Sequence, residues 1–148
     1  MNGSNGNNNN NMTLKEYVNQ VGKNSRGYAP YTPLMMAAEN EHFQIVKYLI
    51  EQCEADPNIG RSDGRNALHW AASWNKKDTE VIEFLLTHMS LNSINKKTCA
   101  GFTPLDCAYN NNHTWHSPIC PEIIALLHSK GGKANCYDEN GTFVGWQW

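Results

Sequence analysis

Residues 31–38 read Tyr31-Thr32-Pro33-Leu34-Met35-Met36-Ala37-Ala38, and Glu39-Asn40-Glu41-His42 leads into Phe43-Gln44-Ile45-Val46-Lys47-Tyr48-Leu49-Ile50. The stretch closes on Ala55-Asp56-Pro57-Asn58. Thr32 ahead of Pro33 marks a helix start, with a hydroxyl to cap the first turn and a proline whose missing N–H costs nothing there. Ala37 and Ala38 keep that helix thin, so a neighbouring helix can approach closely. Ile45, Val46, Leu49 and Ile50 recur at helical spacing and predict a second helix with one apolar face. Two short helices and a turn cannot bury their apolar faces alone, so this unit needs neighbours like itself.

The neighbours are in the sequence. Ile45-Val46-Lys47-Tyr48-Leu49-Ile50 is matched by Val81-Ile82-Glu83-Phe84-Leu85-Leu86 and by Ile123-Ile124-Ala125-Leu126-Leu127-His128. Thr32-Pro33-Leu34 is matched by Asn66-Ala67-Leu68 and Thr103-Pro104-Leu105, and the helix starts Thr32, Asn66 and Thr103 lie 34 and 37 residues apart. A period near 33 with a Thr-Pro-Leu helix start is the mark of ankyrin repeats. Over roughly residues 27–141 the sequence resembles the ankyrin-repeat family.

That resemblance implies an all-α solenoid of helix-turn-helix units joined by short β-hairpin loops. Repeat one would run over 27–58, repeat two over 61–95 and repeat three over 98–135, with a partial fourth over 137–148. Repeat one has Gly27 and Pro30 where the family has Asp and Gly, and Cys53 reads as a one-residue insertion. In repeat two, Asp63-Gly64 is a strong turn dipeptide, the loop Asn75-Lys76-Lys77 is lengthened, and Asp78 is placed to cap the second helix. The family histidine matching His69 bonds within its own repeat, and Trp70 is expected in the core. In repeat three Tyr109 replaces a small alanine, and 110–121 is an insertion before Ile123. The Asp138-x-x-Gly141 hairpin fits the family pattern best. Val144, Trp146 and Trp148 then alternate like a strand, expected to fold back over repeat three.

Residues 1–11, rich in Asn and Gly, offer nothing to bury and are expected to be a disordered tail ahead of a domain over 12–148. Thr13-Leu14-Lys15-Glu16 is a capping box, and Leu14, Tyr17, Val18 and Val21 share one helical face. A helix over 13–22, ended by Gly22, is the expected N-terminal cap of the stack.

A net charge of -2 favours neither nucleic acid nor an anionic membrane. No apolar run approaches the ~20 residues that span a bilayer. The polar N-terminus has no apolar stretch of signal-peptide length, and the five cysteines follow no small disulfide framework. Reduced thiols and an intracellular setting, cytoplasmic or nuclear, are the expectation. No nucleophile stands at recognisable spacing from a base, and no phosphate-cradling glycine loop or His-Glu-x-x-His occurs, so neither an enzyme nor a cofactor is expected.

The function implied by the resemblance is binding of another protein, as a monomeric adaptor, inhibitor or scaffold, through the concave face of hairpin tips and first helices. The family's variable positions fall on Tyr28, Ala29, Tyr31, Glu39 and Asn40 in repeat one. They fall on Ser62, Asp63, Arg65, Ser73 and Trp74 in repeat two, and on Cys99, Ala100, Phe102, Asn110 and Asn111 in repeat three. Tyr31, Arg65 and Phe102 hold one place in successive hairpins and would form an exposed row beside Trp74, residue types that dominate binding energy. The alternative is a zinc-stabilised module. Cys107, His113, His116 and Cys120 lie within fourteen residues and offer zinc's preferred donors, though at no established spacing.

Overall fold

The computed structural model describes residues 12–21, 31–73, 79–110 and 120–145. Among these, the helices are α1 (Leu14–Val18), α2 (Pro33–Glu39), α3 (Phe43–Cys53), α4 (Ala67–Ala72), α5 (Glu80–His88), α6 (Leu91–Ile94), α7 (Pro104–Tyr109) and α8 (Pro121–Ser129). The first-helix starts follow from local chemistry. Thr32 Oγ1 accepts the Met35 N–H, Asn66 Oδ1 the His69 N–H and Thr103 Oγ1 the Asp106 N–H, each at 3.2 Å. Each short side chain satisfies a backbone donor that a helix start otherwise leaves open. Asn66 also reaches 27 residues ahead, donating from Nδ2 to the Ser93 carbonyl at 2.8 Å.

The helices pair as α2 with α3, α4 with α5 and α7 with α8, and α2, α4 and α7 stack in succession. Ala37, Ala38, Ala71, Ala72 and Ala108 are buried in that stack, where only small side chains let helix backbones approach closely. Leu34, Leu68 and Leu105 repeat one core position, and Leu49, Leu85 and Leu127 repeat another. Each contributes roughly 1.5–3 kcal/mol by burial. On the second helices, Phe43 and Phe84 meet edge to face at 5.7 Å.

The buried face of α3 overlaps the one its spacing predicts, with Ile50 packed against the core, but is rotated from it. Val46, Leu49 and Cys53 are buried, whereas Ile45 is 49% exposed. Cys53 is the last residue of α3, and the left-handed Glu54 after it turns the chain. On α1 only Val18 is buried, while Leu14, Tyr17 and Val21 are exposed. Polar contacts tie α1 down instead. Asn19 Nδ2 donates to the Glu54 carbonyl at 3.0 Å, Asn19 Oδ1 accepts the Asp56 N–H at 2.7 Å, and Lys15 pairs with Glu54. Gly22, the expected helix end, lies outside the described residues. The helix α6 was not expected from sequence. Its C-cap Asn95 acts as Asn19 does, bonding the Gly131 carbonyl and the Lys133 N–H. The start of α5 also differs. Asp78 lies outside the described residues, and Thr79 at the cap donates to the Glu83 carboxylate at 2.6 Å without capping the backbone.

Three hairpins share one backbone pattern. The N–H groups of Arg61, Thr98 and Asp138 donate to the carbonyls of Arg65, Phe102 and Thr142 at 2.7, 2.8 and 3.0 Å. Gly64, Gly101 and Gly141 carry the positive φ that each turn requires, at 88°, 84° and 74°. The last hairpin covers Tyr109. Tyr137 stacks on Tyr109 with centroids 5.6 Å apart, and Phe143 packs edge-on to Tyr137. Tyr109 is buried, and its hydroxyl lies 3.2 Å from His128 Nε2. Beyond Phe143, the Val144 N–H donates to the Cys136 carbonyl, while Trp146 and Trp148 lie outside the described residues. Among the described residues, no helix is long and apolar enough to cross a membrane.

Candidate functional site

The hairpins are joined tip to tip by backbone. The Cys99 N–H donates to the Asp63 carbonyl at 2.8 Å, and the Cys99 thiol lies 3.7 Å from the Ser62 carbonyl. A side chain on Gly64 would meet the Lys97 carbonyl at 2.8 Å, so the close approach itself requires glycine. Beneath the tips, His69 on α4 is fully buried and bridges two units. Its Nε2 lies 3.3 Å from the Phe102 carbonyl, to which Nε2–H donates, leaving Nδ1 to accept the Asn66 N–H at 3.2 Å. Burial drives its pKa down to about 4, so it is neutral. Its bonding therefore reaches the next hairpin as well as its own repeat, further than the family resemblance implies.

The expected row of exposed side chains is instead a half-buried cluster around Trp70. Trp70 is in the core at 6% exposure. The Tyr31 ring lies on it with centroids 4.7 Å apart, and the Arg65 guanidinium sits 4.8 Å over the indole. Arg61 adds a second guanidinium, 5.2 Å over Tyr31 and 5.6 Å over Trp70, and pairs with Asp63 at 2.7 Å. Stacking explains the departure from an exposed row: a weakly hydrated, planar guanidinium gains by lying on an aromatic face. Burial raises the Tyr31 phenol above its usual range, Glu39 adds to this, and Arg61 and Arg65 oppose it. The Nε of Arg61 and the Nε1 of Trp70 are buried and have no hydrogen-bond partner among the described residues.

The other expected contact residues are more dispersed. Glu39 is half-buried at the end of α2, and exposed Asn40 caps it by donating to the Met36 carbonyl at 2.8 Å. Ser62 is exposed at the hairpin tip, and Asp63 is half-buried and also accepts the Arg65 N–H at 3.1 Å. Ser73 donates to the His69 carbonyl at the end of α4. Cys99 and Ala100 are exposed, and Phe102 and Asn110 are half-buried. Tyr28, Ala29, Trp74 and Asn111 lie outside the described residues.

Sequence reasoning missed Arg61 and kept Trp70 only as core. The signal was available: Arg61 stands three residues before Gly64, the place that Asp138 holds before Gly141.

Of the alternative zinc set, His113 and His116 lie outside the described residues. Burial pushes the Cys107 thiol up to about 11, which disfavours the thiolate that zinc needs. The Cys120 thiol, also raised by burial, donates to the Glu122 carboxylate at 3.1 Å. Among the described residues no three metal-ligating side chains come together.

A family model described as ankyrin repeats (three copies) matches residues 4–92 and 34–138. Over 51 residues the chain is 43% identical to the Neurogenic locus notch homolog protein 1 of Danio rerio, a stretch that is 34% of this chain. It spans about 2% of that curated relative's length. Ankyrin repeats generally mediate protein–protein interaction. With the stacked helix pairs, the three like hairpins and a family match over most of its length, the chain belongs to the ankyrin-repeat family.

Proposed function

We propose that this protein is a non-enzymatic binding module that holds another protein against its hairpins and first helices, with Tyr31, Arg65 and the residues around them as the centre of contact. One observation carries this reading: partly exposed Tyr31, Arg61 and Arg65 gather on the buried Trp70, two guanidiniums and two aromatic rings together. Aromatic and arginine side chains that are already ordered lose little entropy on binding and supply most hot spots. Glu39, Asn40, Ser62, Asp63, Ser73, Phe102 and Asn110 are proposed as the surrounding rim, together with Tyr28, Trp74 and Asn111.

The test compares affinity capture by the wild-type chain with capture by Arg65→Ala, Tyr31→Ala and a second-helix control, Tyr48→Ala, whose side chain is 60% exposed. A partner held at this site loses about 2 kcal/mol of affinity with Arg65→Ala or Tyr31→Ala and none with the control. A partner lost only with Tyr48→Ala would place binding on the second-helix side and refute the proposal.

A further inference from the structure

We infer that the Trp70 cluster is a subsite for a carboxylate side chain, Asp or Glu, on the bound protein segment. This rests on the reading that the partner occupies the hairpin and first-helix face. The charge arrangement carries it. Asp63 pairs with Arg61 through Oδ2 at 2.7 Å, and its Oδ1 takes the Arg65 backbone N–H at 3.1 Å, so Asp63 is occupied. The Arg65 guanidinium forms no ion pair among the described residues and is held 4.8 Å over the indole. Glu39 acts on the Tyr31 phenol electrostatically, yet closes no ion pair with either arginine among the described residues.

Two further donors point to an acceptor. The Arg61 Nε–H and the Trp70 Nε1–H are desolvated and without a partner among the described residues, and buried donors are rarely left so. The Arg61 side chain remains 19% exposed while its Nε is covered. Unpaired N–H groups beside an uncompensated guanidinium suit an acceptor-only, planar anion, which is what a carboxylate is. A cationic or purely apolar side chain would leave the Arg65 guanidinium without a counter-charge.

The experiment pans a phage-displayed random 12-residue peptide library on the full chain, then measures synthetic peptides of the enriched sequences. Enriched peptides are expected to share an Asp or Glu, and its replacement by Gln or Asn should weaken binding about tenfold, as loss of a charge-assisted contact does. Panning on Arg65→Glu should select Lys or Arg at that position, with thermal melting confirming that the variant is folded. Peptides that lose binding with Tyr31→Ala but carry no acidic residue and tolerate Arg65→Ala would overturn this inference and leave the binding face intact. Peptides indifferent to both substitutions would overturn both readings, and a library yielding no peptide above background would overturn the inference.

Discussion

The backbone N–H of Cys136 donates to Asp106 Oδ1 at 2.8 Å, tying the last hairpin to α7 across 30 residues. The Asn135 N–H reaches the same carboxylate at 2.9 Å, and the Thr103 N–H and hydroxyl reach Oδ2 at 2.8 and 2.9 Å. His69 holds the same place on α4 with opposite polarity, since its Nε2–H donates to a carbonyl of the following hairpin. Replacing Asp106 by Ala strands two hairpin N–H groups, and should cost about 2–4 kcal/mol in urea denaturation. Amide exchange at Asn135 and Cys136 should rise more than at the α2–α4 contact. Equal protection in both variants would show that the hairpin does not depend on Asp106.

His69 should make the fold acid-sensitive. Its folded pKa of about 4 lies below the usual 6.5, so the unfolded chain binds the proton more readily. Stability is fully present above about pH 6.5 and falls as pH drops toward 4, by on the order of 3 kcal/mol in all. Below that the slope from this group vanishes, since both states are protonated. Urea midpoints taken between pH 7 and 4 for the wild type and His69→Gln check this. The variant should be weaker at pH 7 yet lose less on acidification.

Leu85 is fully buried in the middle helix pair. Leu85→Ala should lower stability by ~2–5 kcal/mol, through lost burial and the cavity left behind. Because each pair touches only its neighbours, that loss should melt the flanking pairs as well. Circular dichroism melts would reveal it as one lowered transition.

Gly64→Ala should cost roughly 1–3 kcal/mol, since φ of 88° and a 2.8 Å approach to the Lys97 carbonyl both oppose a Cβ. An unchanged melting temperature would mean that the two hairpin tips are not in contact in solution.

Arg65→Ala should lower stability by about 0.5–1 kcal/mol through loss of its stacking on Trp70. Trp70→Ala should cost about 3–5 kcal/mol, as for other buried aromatics. The gap between the two, read from denaturation curves, separates a surface clamp from the core residue it rests on.

What could be read in sequence was local. The caps at Thr32, Asn66 and Thr103 depend on a side chain meeting a backbone N–H three residues on, and the turns on a glycine at a fixed offset. Both interactions lie inside a single turn, so residue type and spacing specify them. The leucine periodicity likewise marks Leu49, Leu85 and Leu127 as core, because a helix presents every third or fourth residue to one side.

The tertiary structure decided what depends on residues far apart in the chain, such as Asn66 and Ser93 at 27 positions. Periodicity cannot say how far round a helix its neighbours reach, which is why Ile45 is exposed and Cys53 buried, and why Leu14 and Tyr17 face outward. The short helix α6 exists where Asn66 draws in the Ser93 carbonyl from 27 residues away. Arg61, Arg65 and Trp70 belong to one unit and Tyr31 to the unit before it, and it is the stacking of the two units that lays the Tyr31 ring on the indole and under the Arg61 guanidinium. Sequence alone specified the repeating unit through local bonding; the offset between units, set by packing of distant side chains, brought Tyr31 onto Trp70.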